Sequence, residues 1–453
     1  MKTLLVIALI FVSAQVVRAH DIQPKDSVTN IIDKSAALIK IDKGVKLLGE
    51  NKIREALTEF REAALKDPNS WKPPFWIAYC HAKLSNYGYI KQYCLAAIDK
   101  SPNEVDPDVY EMLGSAYHQL NVLDSAIIAF KTAQSIMKPQ RAKELSIAHK
   151  LACAEFAKKE SGSKNTRTAL VGDINSGYND YSIVLTNNGK RVYFTSRRAN
   201  TTGGMINPDD QAYFEDVYTG VWSDELNKFD SISNTVERIN GKGFETMSWI
   251  SKDGNSALIT LNTTLTADKK PTKSSDICEV DFTKQGKWTA PKPIKNKTIN
   301  SSYFDGAATV TADGNTMYFV SDRKGEKKAT DIYVVQRTGK SWGKAVPLSD
   351  TVNTAMRETT PYISPDGRFL FFSSDGHVGM GGFDVFVTEN TGSGWTKPVN
   401  LGGMINSVND DTHFSIYKEL GKAFITSSSI SDKRSSLDIF EFDLNALKLP
   451  VKF

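Results

Sequence analysis

The stretch SPDGRFLFFSSDGHVGMGGFDVF, Ser364–Phe386, decides the fold. Its turn, Pro365-Asp366-Gly367, lies between two apolar runs, and Asp384-Val385-Phe386 at its end opens a third. Glycine reaches φ > 0 without steric cost and aspartate bonds the local backbone, so Asp-Gly between apolar runs reads as a β-hairpin.

Working outward, the pattern occurs five times. Ser182–Ser196 (SIVLTNNGKRVYFTS), Met247–Thr260 (MSWISKDGNSALIT), Ala308–Ser321 (ATVTADGNTMYFVS), Thr360–Ser373 (TPYISPDGRFLFFS) and Phe414–Ser427 (FSIYKELGKAFITS) each give strand, turn and strand. A third strand is expected at Asp216-Val217-Tyr218, Asp276-Ile277-Cys278, Asp331-Ile332-Tyr333, Asp384-Val385-Phe386 and Asp438-Ile439-Phe440. An outer fourth strand follows Trp288…Pro293, Trp342…Pro347 and Trp395…Pro398. Five Ile/Val-Asn pairs, at Asn175, Asn240, Asn300, Asn353 and Asn406, count the units. The last unit stops after its third strand, whereas an orphan segment, Thr166–Ile174, precedes the first. That orphan can complete the final unit and close a ring, which removes exposed sheet edges. The reading is a five-bladed β-propeller over 166–443 with a tail at 444–453; six blades is the alternative. The repeated text resembles the WD-like propeller repeats of the TolB type, most faintly in the fifth unit, where Leu420-Gly421 replaces Asp-Gly.

Upstream, residues 31–159 are rich in Ala, Leu and Lys at helical spacing. Gly44, Ala78 and Gly114 recur at intervals of 34 and 36, and Phe60, Cys94 and Phe130 keep step with them. Small residues let paired helices approach, the aromatic fills the gap, and Pro68, Pro102 and Pro139 close each unit. This resembles the tetratricopeptide repeat (TPR), with Gln140–Lys159 expected as a capping helix. The fold class is therefore an all-α helical-repeat domain followed by an all-β propeller, joined by a linker at 160–165. Stacked hairpins of that family form a groove for a peptide or partner segment, which here implies Phe75, Tyr79, Lys83, Glu111, Ser115 and His118 as lining residues.

At the N-terminus, Lys2 precedes the short apolar run Leu4–Val12 and the small-residue site Val17-Arg18-Ala19. The run is too short to span a bilayer and reads as a signal peptide, residues 1–19, cleaved after Ala19. No later run is long and apolar enough for a membrane helix, so an exported soluble chain is expected. With 56 basic against 52 acidic residues, the near-neutral balance gives no support for nucleic-acid binding. Cys80, Cys94, Cys153 and Cys278 are too scattered for a zinc site or a disulfide framework. Cys80 and Cys94 fall on one hairpin and could pair, though buried free thiols are the favoured reading.

The sequence carries no catalytic, cofactor or metal fingerprint: no nucleophile elbow, P-loop or dinucleotide motif, and no ligand spacing among six histidines. The five aspartates recur in every blade, which is the mark of a structural role. Gly376–Gly382 reads as a blade loop, since no helix follows it. Sialidase-type S-x-D-x-G-x-x-W turns are absent, as is a recognisable arginine cluster with a Tyr/Glu pair. TPR followed by a TolB-like propeller resembles a group of Gram-negative envelope proteins, some serving type IX secretion and gliding. The resemblance implies a non-enzymatic periplasmic adaptor at the outer membrane with protein partners. A glycan or peptidoglycan-fragment binding module is the alternative, and a sialidase-like hydrolase the second alternative. An OmpA-like domain often follows in that group; none is recognisable before Phe453, so direct peptidoglycan anchoring is not expected.

Overall fold

The computed structural model describes residues 31–163, 166–186, 188–207, 210, 212–236, 238–263, 274–323, 329–430 and 435–451. The leader and its cleavage site, and Lys164-Asn165 of the linker, lie outside the described residues. Eight helices precede the propeller among them: α1 (Ile31–Gly49), α2 (Ile53–Lys66), α3 (Lys72–Lys83), α4 (Tyr87–Lys100), α5 (Asp108–Gln119), α6 (Leu123–Ile136), α7 (Pro139–Glu144) and α8 (Ile147–Glu160).

The helices pair as hairpins, α1 with α2, α3 with α4 and α5 with α6. Each intra-hairpin turn holds one residue at positive φ: Asn51 (59°), Ser85 (54°) and Asn121 (57°). Glycines at the crossing are required by the aromatic opposite. A Cβ on Gly44 would overlap the Phe60 ring, and one on Gly114 the Phe130 ring. Both rings are fully buried, each contributing roughly 1.5–3 kcal/mol. The expected single capping helix is instead two, because Ser146 adopts φ 53° and breaks the ladder between α7 and α8.

The remainder is a five-bladed propeller of antiparallel sheets. The innermost strands are Asp180–Leu185, Phe244–Ile250, Asp305–Val310, Glu358–Ile363 and Asp411–Tyr417. The third strands begin at Asp216, Asp276, Asp331 and Asp384; in the fifth blade the strand starts earlier, at Ser435. Outside the first blade, whose outer strand is Lys228–Ser233, outer strands are short, such as Lys292–Pro293 and Val346–Pro347, where proline's missing N–H is harmless at an edge. The fifth blade takes its outer strand from the start of the propeller: Thr168–Ala169 pairs antiparallel with Ser435–Asp443, Thr168 opposite Glu441 and Ala169 opposite Phe440. The chain beyond Asp443 does not trail free, since Leu444, Leu447, Leu449 and Val451 pack on the core between the fourth and fifth blades.

The five asparagines that count the blades hold them. Asn300 accepts the amide of Ile277 at 2.8 Å and donates to the carbonyls of Ile277 (2.9 Å) and Ile294 (3.1 Å). Asn240, Asn353 and Asn406 likewise clamp Val217, Ile332 and Val385. Asn175 does the same to Ile439, 264 residues away, and so ties the two ends of the ring. Five residues after each asparagine comes a buried acid at the head of the innermost strand: Asp180, Glu245, Asp305, Glu358 and Asp411.

Candidate functional site

Two surfaces can hold a ligand: the helical groove and the propeller channel. Along the groove, the structure divides the six candidate residues. Tyr79 and Lys83 stay accessible on α3, the Lys83 ammonium lying 5.4 Å from the Tyr79 ring centroid. Ser115 is half-buried and donates to Glu111 at 2.8 Å. Phe75 is not a lining residue: it is 7% exposed and packs in the core between the second and third hairpins. Glu111 is also largely buried, where it pairs with Lys150 of α8.

His118 is the clearest correction. It is 5% exposed, and its Nε2–H donates to the carbonyl of Met380 in the propeller at 2.6 Å. Gln119 beside it donates to the carbonyl of Val408 at 2.8 Å. Leu123, Phe156 and Ala157 close over Met380 and Val408, while His149 donates to the Asp375 carbonyl at 2.9 Å. The third-repeat end of the groove is therefore occupied by the propeller itself. The glycine run 376–382 explains how: Cβ atoms on Gly379, Gly381 and Gly382 would overlap Asp384, Val408 and Asp410. Asp384 stabilises the same loop by accepting the amides of Met380 (2.7 Å) and Gly381 (3.1 Å). The sequence identifies this segment as a blade loop, but nothing in it points to the helices.

The channel is a cavity of about 1260 Å³ lined by the innermost strands of all five blades. Side-chain to backbone bonds run around it. Ser182 donates to the Met247 carbonyl, Ser248 to the Ala308 carbonyl and Tyr362 to the Ile416 carbonyl, and Tyr417 accepts the Leu185 amide. In four blades the residue two beyond the buried acid, Ser182, Ala307, Thr360 or His413, has positive φ at a bulge and turns into the channel.

Among the described residues, the buried acids have cations in three blades. Arg198 reaches Asp180 (3.2 Å), Arg323 reaches Asp305 (2.5 Å) and Arg167 reaches Asp411 (3.1 Å). Glu358 has hydroxyls from Thr354 and Ser374, both at 2.8 Å. Burial pushes Glu358 up to about 7 and Glu245 up to about 8. At one sector of the channel mouth, the Glu215 carboxylate lies close to Tyr181, with Arg197 beside them. Sequence reasoning missed this Tyr/Glu pair because 34 positions separate its members. All four cysteines are free and buried, with burial raising Cys80 and Cys278 to about 12. Among the described residues, no group of His, Cys, Asp and Glu could hold a metal, and no helix is long and apolar enough to cross a membrane.

These surfaces define the chain's class: a tetratricopeptide-type helical stack mounted on a five-bladed propeller. No family model matches the sequence, and no curated protein matches it significantly. Among solved structures it is similar to the first TPR of Spaghetti (RPAP3) bound to an HSP90 peptide, at 22% identity and a TM-score of 0.24, over 26% of this chain and 98% of that one. It is also similar to the Arabidopsis OM64 TPR domain, at 18% identity and a TM-score of 0.24, over 26% and 94%. A glycoside hydrolase covers more, 66% of this chain and 98% of that one, at 12% identity and a TM-score of 0.43. Likeness this distant says nothing of ligand or reaction.

Proposed function

We propose that this chain is a non-enzymatic scaffold of the cell envelope, exported by its leader and working in the periplasm at the outer membrane. In this reading it holds a partner protein's segment in the groove of its first two helical hairpins and uses the propeller as a rigid platform. The observation that carries the reading is the joint between the domains: four side chain–backbone bonds and an apolar patch hold the stack to the fourth and fifth blades. Such a joint fixes two binding surfaces relative to each other, which an adaptor requires. Service in a type IX secretion or gliding assembly is one setting that fits the composition of domains.

Affinity capture from envelope extract, with the full chain as bait, tests this. Tyr79→Ala combined with Lys83→Glu should lose a protein that the unaltered chain recovers. Identical recoveries, or none at all, would count against the groove as the docking surface.

A further inference from the structure

In a five-fold ring, a residue with a structural duty recurs in several blades, whereas a residue that touches one ligand need occur only once. The channel mouth can be sorted by that rule. One position after the buried acid stand Thr246, Gly306, Thr359 and Thr412, but Tyr181 in the first blade. Immediately before the third strand's aspartate stand Ser275, Thr330, Phe383 and Leu437, but Glu215 in the first blade. Where that position is Ser275 or Thr330, its hydroxyl braces the next blade's carbonyl, at Asp305 (3.1 Å) and Glu358 (2.8 Å). After the second strand, Asp322 and Asp375 each accept a backbone amide of their own blade, at 2.8 Å, whereas the first blade has Arg197. His413 is the aromatic exception among Ser182, Met247, Ala307 and Thr360.

The four exceptions converge. The ring of His413 lies 5.6 Å from that of Tyr181, tilted by 41°. Glu215, close to Tyr181, accepts from Thr246 Oγ1 at 3.1 Å. The Arg197 guanidinium sits behind them, held by both Asp210 oxygens (2.7 and 3.0 Å) and by the Tyr213 carbonyl (2.6 Å). Tyr181, Glu215, Thr246 and His413 all line the cavity, together with Phe304 and Pro361.

We propose that this sector of the channel mouth is a binding site for a sugar residue. Arg197 is already paired with Asp210, so Glu215 leaves the sector with a net negative charge that repels an anionic guest. What the walls offer is hydrogen-bond acceptance from a carboxylate, hydroxyls that both donate and accept, and aromatic rings for a C–H face. A polyhydroxylated ring matches that set. The site is independent of the helical groove, so it stands or falls apart from the scaffold reading.

The test is calorimetric titration of the full chain with chitotetraose, maltotetraose and a disaccharide muropeptide, with fluorescence of Trp249 in the channel wall as a second readout. At least one of the three should bind. Glu215→Gln and Tyr181→Phe should each weaken it about tenfold, the effect of one lost hydrogen bond, without lowering the melting temperature. His413→Asn serves if either variant misfolds. The proposal is overturned if none of the three binds up to about 10 mM, or if a bound sugar is indifferent to all three substitutions. A lysine-rich peptide that binds in place of sugar and is lost in Glu215→Gln would overturn it equally.

Discussion

Residue 94 shows how one side chain is matched to another. Two hairpins pair glycine with phenylalanine, Gly44 with Phe60 and Gly114 with Phe130, because a Cβ would overlap the ring. The second hairpin has Ala78 and Cys94 at those positions, both fully buried in one cluster. The added methyl and the smaller partner compensate each other. Cys94→Phe alone should therefore destabilise the protein by about 1–3 kcal/mol through overpacking, and Ala78→Gly in the same chain should recover most of it. Equal losses in the single and double variants, measured by denaturant unfolding, would contradict the pairing.

Glu245 carries a second residue-scale consequence. Folded Glu245 keeps its proton to about pH 8, while its ordinary value is 4.5. The folded state thus binds the extra proton between those values, and stability falls as pH rises through the window. The loss is on the order of a few kcal/mol, and Glu245→Gln should flatten it, leaving the variant more stable than the parent at pH 9. Parallel melting curves against pH for both chains would argue that Glu245 is ionised in the fold.

The blade is the unit whose closure can be broken. Arg167, on the segment that leads into the closing strand, donates to Asp411 (3.1 Å) and Ser427 (2.7 Å), and Asp411 is fully buried. Arg167→Ala leaves that carboxylate without its cation, at a cost of about 3–5 kcal/mol. Faster amide exchange should appear first in Thr168–Leu170 and in Ser435–Asp443. Uniform acceleration over all blades would mean that closure is not the weak point. This closure was legible in the sequence because a ring needs every edge paired, and the orphan segment 166–174 had only one vacancy to fill. The asparagines were legible as a count but not as clamps, since their partners lie in the preceding blade. The acids five residues on were overlooked although their spacing is regular. The Tyr181–Glu215 pair was not legible at all, because proximity across a channel leaves no trace in the spacing of residues.

At the scale of the whole molecule, the helical stack and the propeller are built as one body. Sequence periodicity could place a groove on α3 and α5, yet it could not reveal that His118 and Gln119 are already taken by the propeller, since these contacts span more than 260 positions. The most direct measurement is a pulsed electron–electron distance between spin labels at Lys66→Cys on α2 and Lys292→Cys on the second blade, both exposed sites. The native thiols are buried, which leaves the two introduced ones as the reactive pair. A single narrow distribution, broadened by His118→Ala with Gln119→Ala, is the predicted result. A broad distribution in the parent protein, unchanged by those substitutions, would contradict a fixed scaffold.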